Sequence, residues 1–229
     1  MAAGSGTRMG AEMPKQFIEL GGKAVLQMTI EKFMAACPDI KVVTVLPEAH
    51  IEYWRNYCLE RNFNCPQILV KGGITRFHSV KNALSKIPDG AVVAVHDGVR
   101  PLVSVEFIKE MFMKAENLPA LIPVLPCVDT MKVLLNKDGE LVTAEGQTVD
   151  RSVLYGAQTP QMFHSEILKS AYQQAFDTAF TDDASVVLKN GKNLSYLIGE
   201  RFNIKLTTQD DLVLANAILS LSPSCSSSR

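Results

Sequence analysis

Between residues 25 and 124, short β-branched runs alternate with amphipathic stretches, and this alternation constrains the fold more than any other feature. Val42-Val43-Thr44-Val45-Leu46 reads as a buried strand stopped at Pro47. Gln67-Ile68-Leu69-Val70 reads as a second, ahead of Lys71-Gly72-Gly73, and Ala91-Val92-Val93-Ala94-Val95-His96 as a third, ahead of Asp97-Gly98. Leu121-Ile122-Pro123-Val124 is a fourth, which Pro123 marks as an edge, a bulge or a short strand because proline has no ladder donor. Helical spacing covers Val25 to Ala36, Glu48 to Arg61, Arg76 to Lys86 and Val105 to Glu116. Strands separated by helices imply an α/β fold with a mostly parallel sheet covered by helices on both faces. Ligands of such sheets sit outside the carboxyl ends of the strands. The loops that follow each strand are therefore the candidate site.

The opening run, Met1-Ala2-Ala3-Gly4-Ser5-Gly6-Thr7-Arg8-Met9-Gly10, is followed by Pro14-Lys15-Gln16-Phe17. Glycines let backbone N–H groups approach a ligand closely, and a concave set of them binds anions. Arg8 and Lys15 add fixed positive charge beside that cradle, so the residues read as a triphosphate grip. The spacing G-x-G-x-x-x-G is one residue longer than the dinucleotide fingerprint, and no P-loop pattern occurs here. A disordered terminus is the plainer alternative. Glycine loops of this kind follow a first strand, yet only Met1-Ala2-Ala3 stands ahead of this one, so a central strand is expected to be truncated or missing.

Of the 229 residues 47% are hydrophobic and 21% charged, with a net charge of −1. That balance suits a globular domain and leaves no basic field for nucleic acid. The five cysteines form no C-x-x-C pair, which points to free thiols in a reducing compartment. No apolar stretch reaches the roughly 18 residues of a membrane span, and no signal-peptide pattern opens the chain, so a cytoplasmic location is expected. We expect one Rossmann-like domain over residues 1–219 and a disordered serine-rich tail over 220–229. Asp138-Gly139 between apolar runs signals a hairpin, set in an arm at about 129–152. An isolated hairpin is marginal in water, so this arm is expected to pack on a second subunit. Phe202 to Leu206 reads as a strand, and Thr207 to Asp211 as the cap of a helix running to Leu219.

Together with the glycine run, Gly72-Gly73-Ile74-Thr75-Arg76-Phe77-His78-Ser79-Val80, His96-Asp97-Gly98-Val99-Arg100-Pro101, Asp129-Thr130-Met131-Lys132, Val149-Asp150-Arg151, Gln158-Thr159-Pro160-Gln161, Thr181-Asp182-Asp183-Ala184-Ser185 and Asn203-Ile204-Lys205 resemble the sugar-phosphate nucleotidylyltransferases. Within that superfamily the set is similar to the 2-C-methyl-D-erythritol 4-phosphate cytidylyltransferase family, from residue 2 to about 219. The resemblance implies an enzyme that transfers CMP from CTP to 2-C-methyl-D-erythritol 4-phosphate and releases pyrophosphate, in non-mevalonate isoprenoid precursor synthesis. It implies Arg8 and Lys15 as catalytic cations stabilising the transition state. Ala2, Ala3, Gly4, Ser5, Gly6, Thr7, Gly73, Ser79 and Asp97 would bind the nucleotide, Gly73 and Ser79 at the base. Asp97 would hold Mg²⁺ or another divalent cation. Arg100, Thr130, Arg151, Thr159 and Lys205 would bind the polyol phosphate, with Arg151 reaching the neighbouring site of a homodimer.

Plainer readings stand beside these roles. Ser79 suits a helix residue bonded to its own backbone, Asp97 a turn, Lys205 a charge guarding an edge strand, and Thr130 and Thr159 ordinary strand residues. Arg76 and His78 receive no catalytic role. His96 reads as a hydrogen-bonded rim histidine, since an anionic phosphate nucleophile needs no base. Asp182 and Asp183 read as a helix cap. Two other functions are open: ribitol 5-phosphate cytidylyltransferase, and a CTP-binding module without turnover. Ala2-Ala3-Gly4, Asp150-Arg151 and the Thr181–Ser185 motif favour the methylerythritol reading, and retention of Arg8 and Lys15 speaks against the module.

Overall fold

The computed structural model describes residues 1–4, 13–144 and 149–221. Ser5, Gly6, Thr7 and Arg8, and the tail from 222, lie outside the described residues. The elements are β1 (Glu19–Leu20), β2 (Lys23–Ala24), α1 (Val25–Ala36), β3 (Val42–Leu46), α2 (Ile51–Glu60), β4 (Gln67–Lys71), α3 (Arg76–Leu84), β5 (Val92–Val95), α4 (Val105–Ala115), β6 (Ala120–Pro126), β7 (Leu134–Lys137), β8 (Glu140–Thr143), β9 (Tyr155–Ala157), β10 (Gln161–His164), α5 (Ser165–Ala171), α6 (Asp183–Lys189), β11 (Ser195–Ile198) and α7 (Gln209–Leu221). The four expected strands and four expected helices between residues 25 and 124 all form. Local capping fixes several helix starts. The Thr75 side chain accepts from His78 N, Ser104 accepts from Phe107 N, and Asp182 closes a capping box with Ser185.

The fold is mixed α/β. Alternate residues of the sheet face opposite helical layers. Leu121 and Met162 cluster with Phe33 of α1 and Met111 of α4, whereas Ile122 and Phe163 cluster with Val80 of α3, Leu168 of α5 and Val187 of α6. Helices therefore cover both faces. The expected mostly parallel sheet does not hold for the described pairings. The larger sheet runs β11-β6-β10-β5 with β9 also on β6, and β10 is antiparallel to both neighbours. Only β6–β11 and β3–β4 are parallel. The reason is connectivity: the chain returns from β6 through the arm and β9 without a crossover helix, so it comes back reversed.

Pro123 sits inside β6 where no donor is needed. The ladder from β9 ends with Val124 opposite Ala157, and that from β10 begins with Leu121 opposite Met162. Gln158-Thr159-Pro160 bulges out between them, with a cis Thr159–Pro160 bond. The hairpin forms as β7–β8, with Asp138 at φ 53° and Gly139 at φ 94° in its turn. Phe202 to Leu206 is not a strand; it is a loop held by side chains, described below. Among the described residues no helix is long and apolar enough to cross a membrane.

Candidate active site

Three strand ends meet at one rim. Met1 N donates to His96 O at 2.6 Å and Gly98 N donates to Met1 O at 2.8 Å, while Ala2 N donates to Val45 O at 2.9 Å. The start of the glycine run thus lies between the ends of β3 and β5, parallel to both. The next β3-side donor would be Pro47, which has none. Gln16 Nε2 donates to Ala2 O instead, at 2.9 Å, from a buried position. Lys15, the expected catalytic lysine, precedes Gln16 in a short 3-10 turn, Lys15–Phe17, one residue from this contact with Ala2. The Gly72–Gly73 loop after β4 closes the rim. A Cβ on Gly72 would lie 2.6 Å from that of Ala3, so only glycine allows the approach. Gly73 N donates to Ser79 Oγ at 3.0 Å, which brings together the two residues expected to read the base.

Asp97 occupies the centre and is 8% exposed. Its Oδ2 pairs with Lys205 Nζ at 3.0 Å and Arg100 Nε at 3.5 Å. Burial by itself would raise the carboxyl's pKa; Lys205, Arg76 and Arg100 outweigh it and hold Asp97 well below the usual carboxylate range. His96, beside it, is pushed down to about 3 by burial and is neutral at pH 7. Its Nε2 lies 3.2 Å from Arg100 O, which can only accept, so the ring proton sits there. Nδ1 then accepts from the Thr159 hydroxyl at 3.1 Å, and the same oxygen accepts from Asp97 N at 3.1 Å. Both ring nitrogens are engaged, as suits a rim histidine that is no base.

Residues without an expected role organise this cluster. From the bulge, Gln158 Nε2 donates to Glu200 O at 2.9 Å and its Oε1 accepts from Glu200 N at 3.1 Å. Asn203 Nδ2 donates to Thr159 O at 2.8 Å, and Arg100 Nη1 donates to Asn203 O at 2.7 Å. These bonds shape the 200–206 loop that delivers Lys205 to Asp97, so Lys205 does not guard a strand edge. On the other flank Arg76 Nη2 pairs with fully buried Asp183 at 2.5 Å, and Tyr172 Oη donates to the same carboxylate at 2.5 Å. Asp183 is thereby more than a cap residue; Asp182 is the cap. The signal for these groups in the sequence was their place inside polar motifs, which named no partner.

Thr130 and Arg151 stand apart. Both are exposed on the arm, and Arg151 Nη1 donates to Val128 O at 2.9 Å. Among the described residues no hydrogen bond or ion pair ties either to the Asp97 cluster. Nor does any group of three or more His, Cys, Asp or Glu side chains form a ready cation cage. Asp97 alone suits a cation shared with phosphates: Oδ2 takes both ion pairs, and no bond among the described residues uses Oδ1.

A family model for 2-C-methyl-D-erythritol 4-phosphate cytidylyltransferase matches residues 1–221. The chain belongs to this cytidylyltransferase family. It is a nucleotidyltransferase, and relatives span nearly its whole length. The 2-C-methyl-D-erythritol 4-phosphate cytidylyltransferase of Bacteroides fragilis is 43% identical over 219 residues, covering 96% of this chain and 97% of the relative. That of Bacillus velezensis is 39% identical, covering 95% and 93%. Among solved structures, the cytidylyltransferase of Francisella tularensis superposes with a TM-score of 0.76 at 30% identity, covering 94% and 95%. The Thermus thermophilus enzyme gives 0.72 at 29%, covering 96% of each chain.

Proposed function

We propose that this cytidylyltransferase transfers the cytidylyl group of CTP to 2-C-methyl-D-erythritol 4-phosphate at the rim around Asp97, releasing pyrophosphate, within one domain over residues 1–219. The observation that carries the reading is the meeting of three strand ends with a cluster of Arg76, Arg100 and Lys205 about one buried aspartate. Phosphoryl transfer needs positioning and charge neutralisation more than covalent help. The amides that follow Ala2 cradle the triphosphate, while Gly73 and Ser79 face the base. Arg8 and Lys15 stabilise the charge that gathers on the α-phosphate as the acceptor's phosphate attacks in line. That nucleophile is already an anion, consistent with a neutral His96 whose nitrogens are both occupied. A divalent cation, Mg²⁺ by preference, would be held by Asp97 with the phosphate oxygens and would supply charge neutralisation there.

Lys205 is partly exposed and can turn from Asp97 onto the acceptor phosphate, with Arg100 fixing the loop around it. Thr130 and Arg151 complete the acceptor site from the arm of a second subunit. The arm's exposed apolar side chains, Val128, Met131, Leu134, Leu135, Leu141 and Val153, support a homodimer, since a lone surface ribbon does not retain such a patch without a partner. A cytoplasmic location suits the four free thiols among the described residues.

The test is pyrophosphate release from CTP and Mg²⁺ with each acceptor separately. Release with 2-C-methyl-D-erythritol 4-phosphate and little with ribitol 5-phosphate is expected. Release with the ribitol ester alone, or with neither while CTP still binds, would overturn the proposal.

A further inference from the structure

Two loops meet at the rim, residues 97–104 after β5 and residues 199–206 after β11, and they are fastened to each other at both ends. At one end Leu206 N donates to Val99 O at 2.9 Å. At the other the half-buried Glu200 grips Ser104: Oε2 accepts from Ser104 N at 2.9 Å, and Oε1 accepts from the Ser104 hydroxyl. That hydroxyl itself accepts from Phe107 N at 3.0 Å, so the grip is anchored on the first turn of α4. Arg100 and Lys205 lie inside the ring so closed, with the bond from Arg100 Nη1 to Asn203 O across its middle. Among the described residues Glu200 makes no ion pair. A carboxylate close in the chain to Lys205 is thus spent on a serine, with both oxygens engaged. Its charge suits the positive end of α4, and a carboxylate acceptor makes a stronger bond than a neutral one.

We propose that Glu200 is a positioning residue for the acceptor: by closing this ring on Ser104 it holds Arg100 and Lys205 at the spacing that takes one phosphate group. The inference rests on the reading of those two cations as acceptor ligands. Gln158 and Asn203 fasten the 199–206 loop to the bulge between β9 and β10. Among the described hydrogen bonds and ion pairs, only the Glu200 carboxylate fastens that loop to the start of α4. Pro101 and Val103 are buried, so the 97–104 loop keeps its seat in the core when the tie is cut. What is lost is its registration against Lys205. The two cations must then be ordered as the acceptor binds, and that entropic cost falls on acceptor affinity. Gly73 and Ser79, on the nucleotide side, share no described bond with the ring, so CTP binding is spared.

The experiment follows pyrophosphate release at varied 2-C-methyl-D-erythritol 4-phosphate and at varied CTP for the parent chain, Glu200→Ala and Glu200→Gln. Glu200→Ala is expected to raise the acceptor KM at least about 10-fold while kcat and the CTP KM stay within about 2-fold of the parent. Glutamine can still accept from Ser104 N and donate to its hydroxyl, so Glu200→Gln is expected to recover most of the acceptor KM. Where alanine unfolds the chain, Glu200→Asp replaces it: the charge stays near α4 but falls one methylene short of Ser104, and the same rise in acceptor KM is expected. In the substrate-free protein, Glu200→Ala is also expected to speed hydrogen exchange at Asn203 and Leu206 at least about 10-fold. Loss of Tm with an unmoved acceptor KM would make Glu200 a cap of α4 alone and overturn the proposal. Equal losses in both KM values, no recovery with glutamine, or unchanged exchange at those two amides would overturn it too. A parent chain that releases no pyrophosphate with this acceptor overturns the acceptor reading itself; an active parent with an unmoved KM in the variant overturns only the role of Glu200.

Discussion

Replacing Thr159 by valine isolates the hydroxyl that ties the β9–β10 bulge to Asp97. The side chain is 5% exposed, and its oxygen accepts from Asp97 N and donates to His96 Nδ1, each at 3.1 Å. Valine keeps the shape and leaves both partners buried without a bond. Each orphaned group costs about 1–3 kcal/mol, so Thr159→Val is expected to lose about 2–6 kcal/mol of stability. At roughly 2–4 °C per kcal/mol for a chain of this size, Tm falls by about 4–24 °C. Thr159→Ser keeps the hydroxyl and should lose only about 1 kcal/mol, the value of one methyl group. Urea unfolding followed by the fluorescence of the single, fully buried Trp54 measures both. If Thr159→Val unfolds within about 0.5 kcal/mol of the parent while its acceptor KM rises, the hydroxyl serves the substrate and the reasoning fails.

Lys205→Met removes the closest cation from Asp97, so the carboxyl's pKa rises and the acid limb of the kcat/KM profile moves to higher pH; an unmoved limb counts against the pairing. Gly73→Ala drives a Cβ to 2.4 Å from His78 Cβ and 2.9 Å from the His78 backbone carbon, and CTP affinity by calorimetry is expected to fall at least about 10-fold, or about 1.4 kcal/mol. Arg151→Ala is expected to raise the acceptor KM with an unchanged Tm, because the side chain's one described bond is an exposed one to Val128 O; an unfolded variant would make it a structural arginine. His96 is neutral when folded and titrates near 6.5 when unfolded, so the unfolded state binds the extra proton below that pH. Stability should therefore drop by up to about 1.4 kcal/mol per pH unit from pH 6.5 toward the folded value of about 3, and a flat urea midpoint from pH 6.5 to 5 would contradict its burial.

Elements set by local pattern were legible in the chain. Val25 to Ala36 has helical spacing and forms a helix with those ends; Asp138-Gly139 demands positive φ and turns a hairpin. Pro123 was legible only in part, because a missing donor is harmless wherever the neighbouring ladder happens to break, and that break comes from residues more than thirty positions away. The antiparallel course of β10 was not legible, since Gln161 to His164 alternates in the same way whichever direction it runs. Phe202 to Leu206 has strand composition, but Gln158, Asn203 and Arg100 tether its backbone, and side-chain tethers leave no periodic trace. At the site, the residues that touch Asp97 lay in recognisable motifs. The Arg76–Asp183–Tyr172 group did not announce itself, because its members are far apart in the chain and meet only after folding.

Pro47 gives the rim a consequence of its own. A residue with a hydrogen to offer at that position would keep the incoming chain zipped to β3 for another step, and the backbone would continue flat past the edge of the sheet. Proline unzips it there, and the long reach of Gln16 holds the last carbonyl without dictating where the next residue goes. Ala3 and Gly4 are thus freed to turn away, so their amides can be offered to a guest instead of to a neighbouring strand.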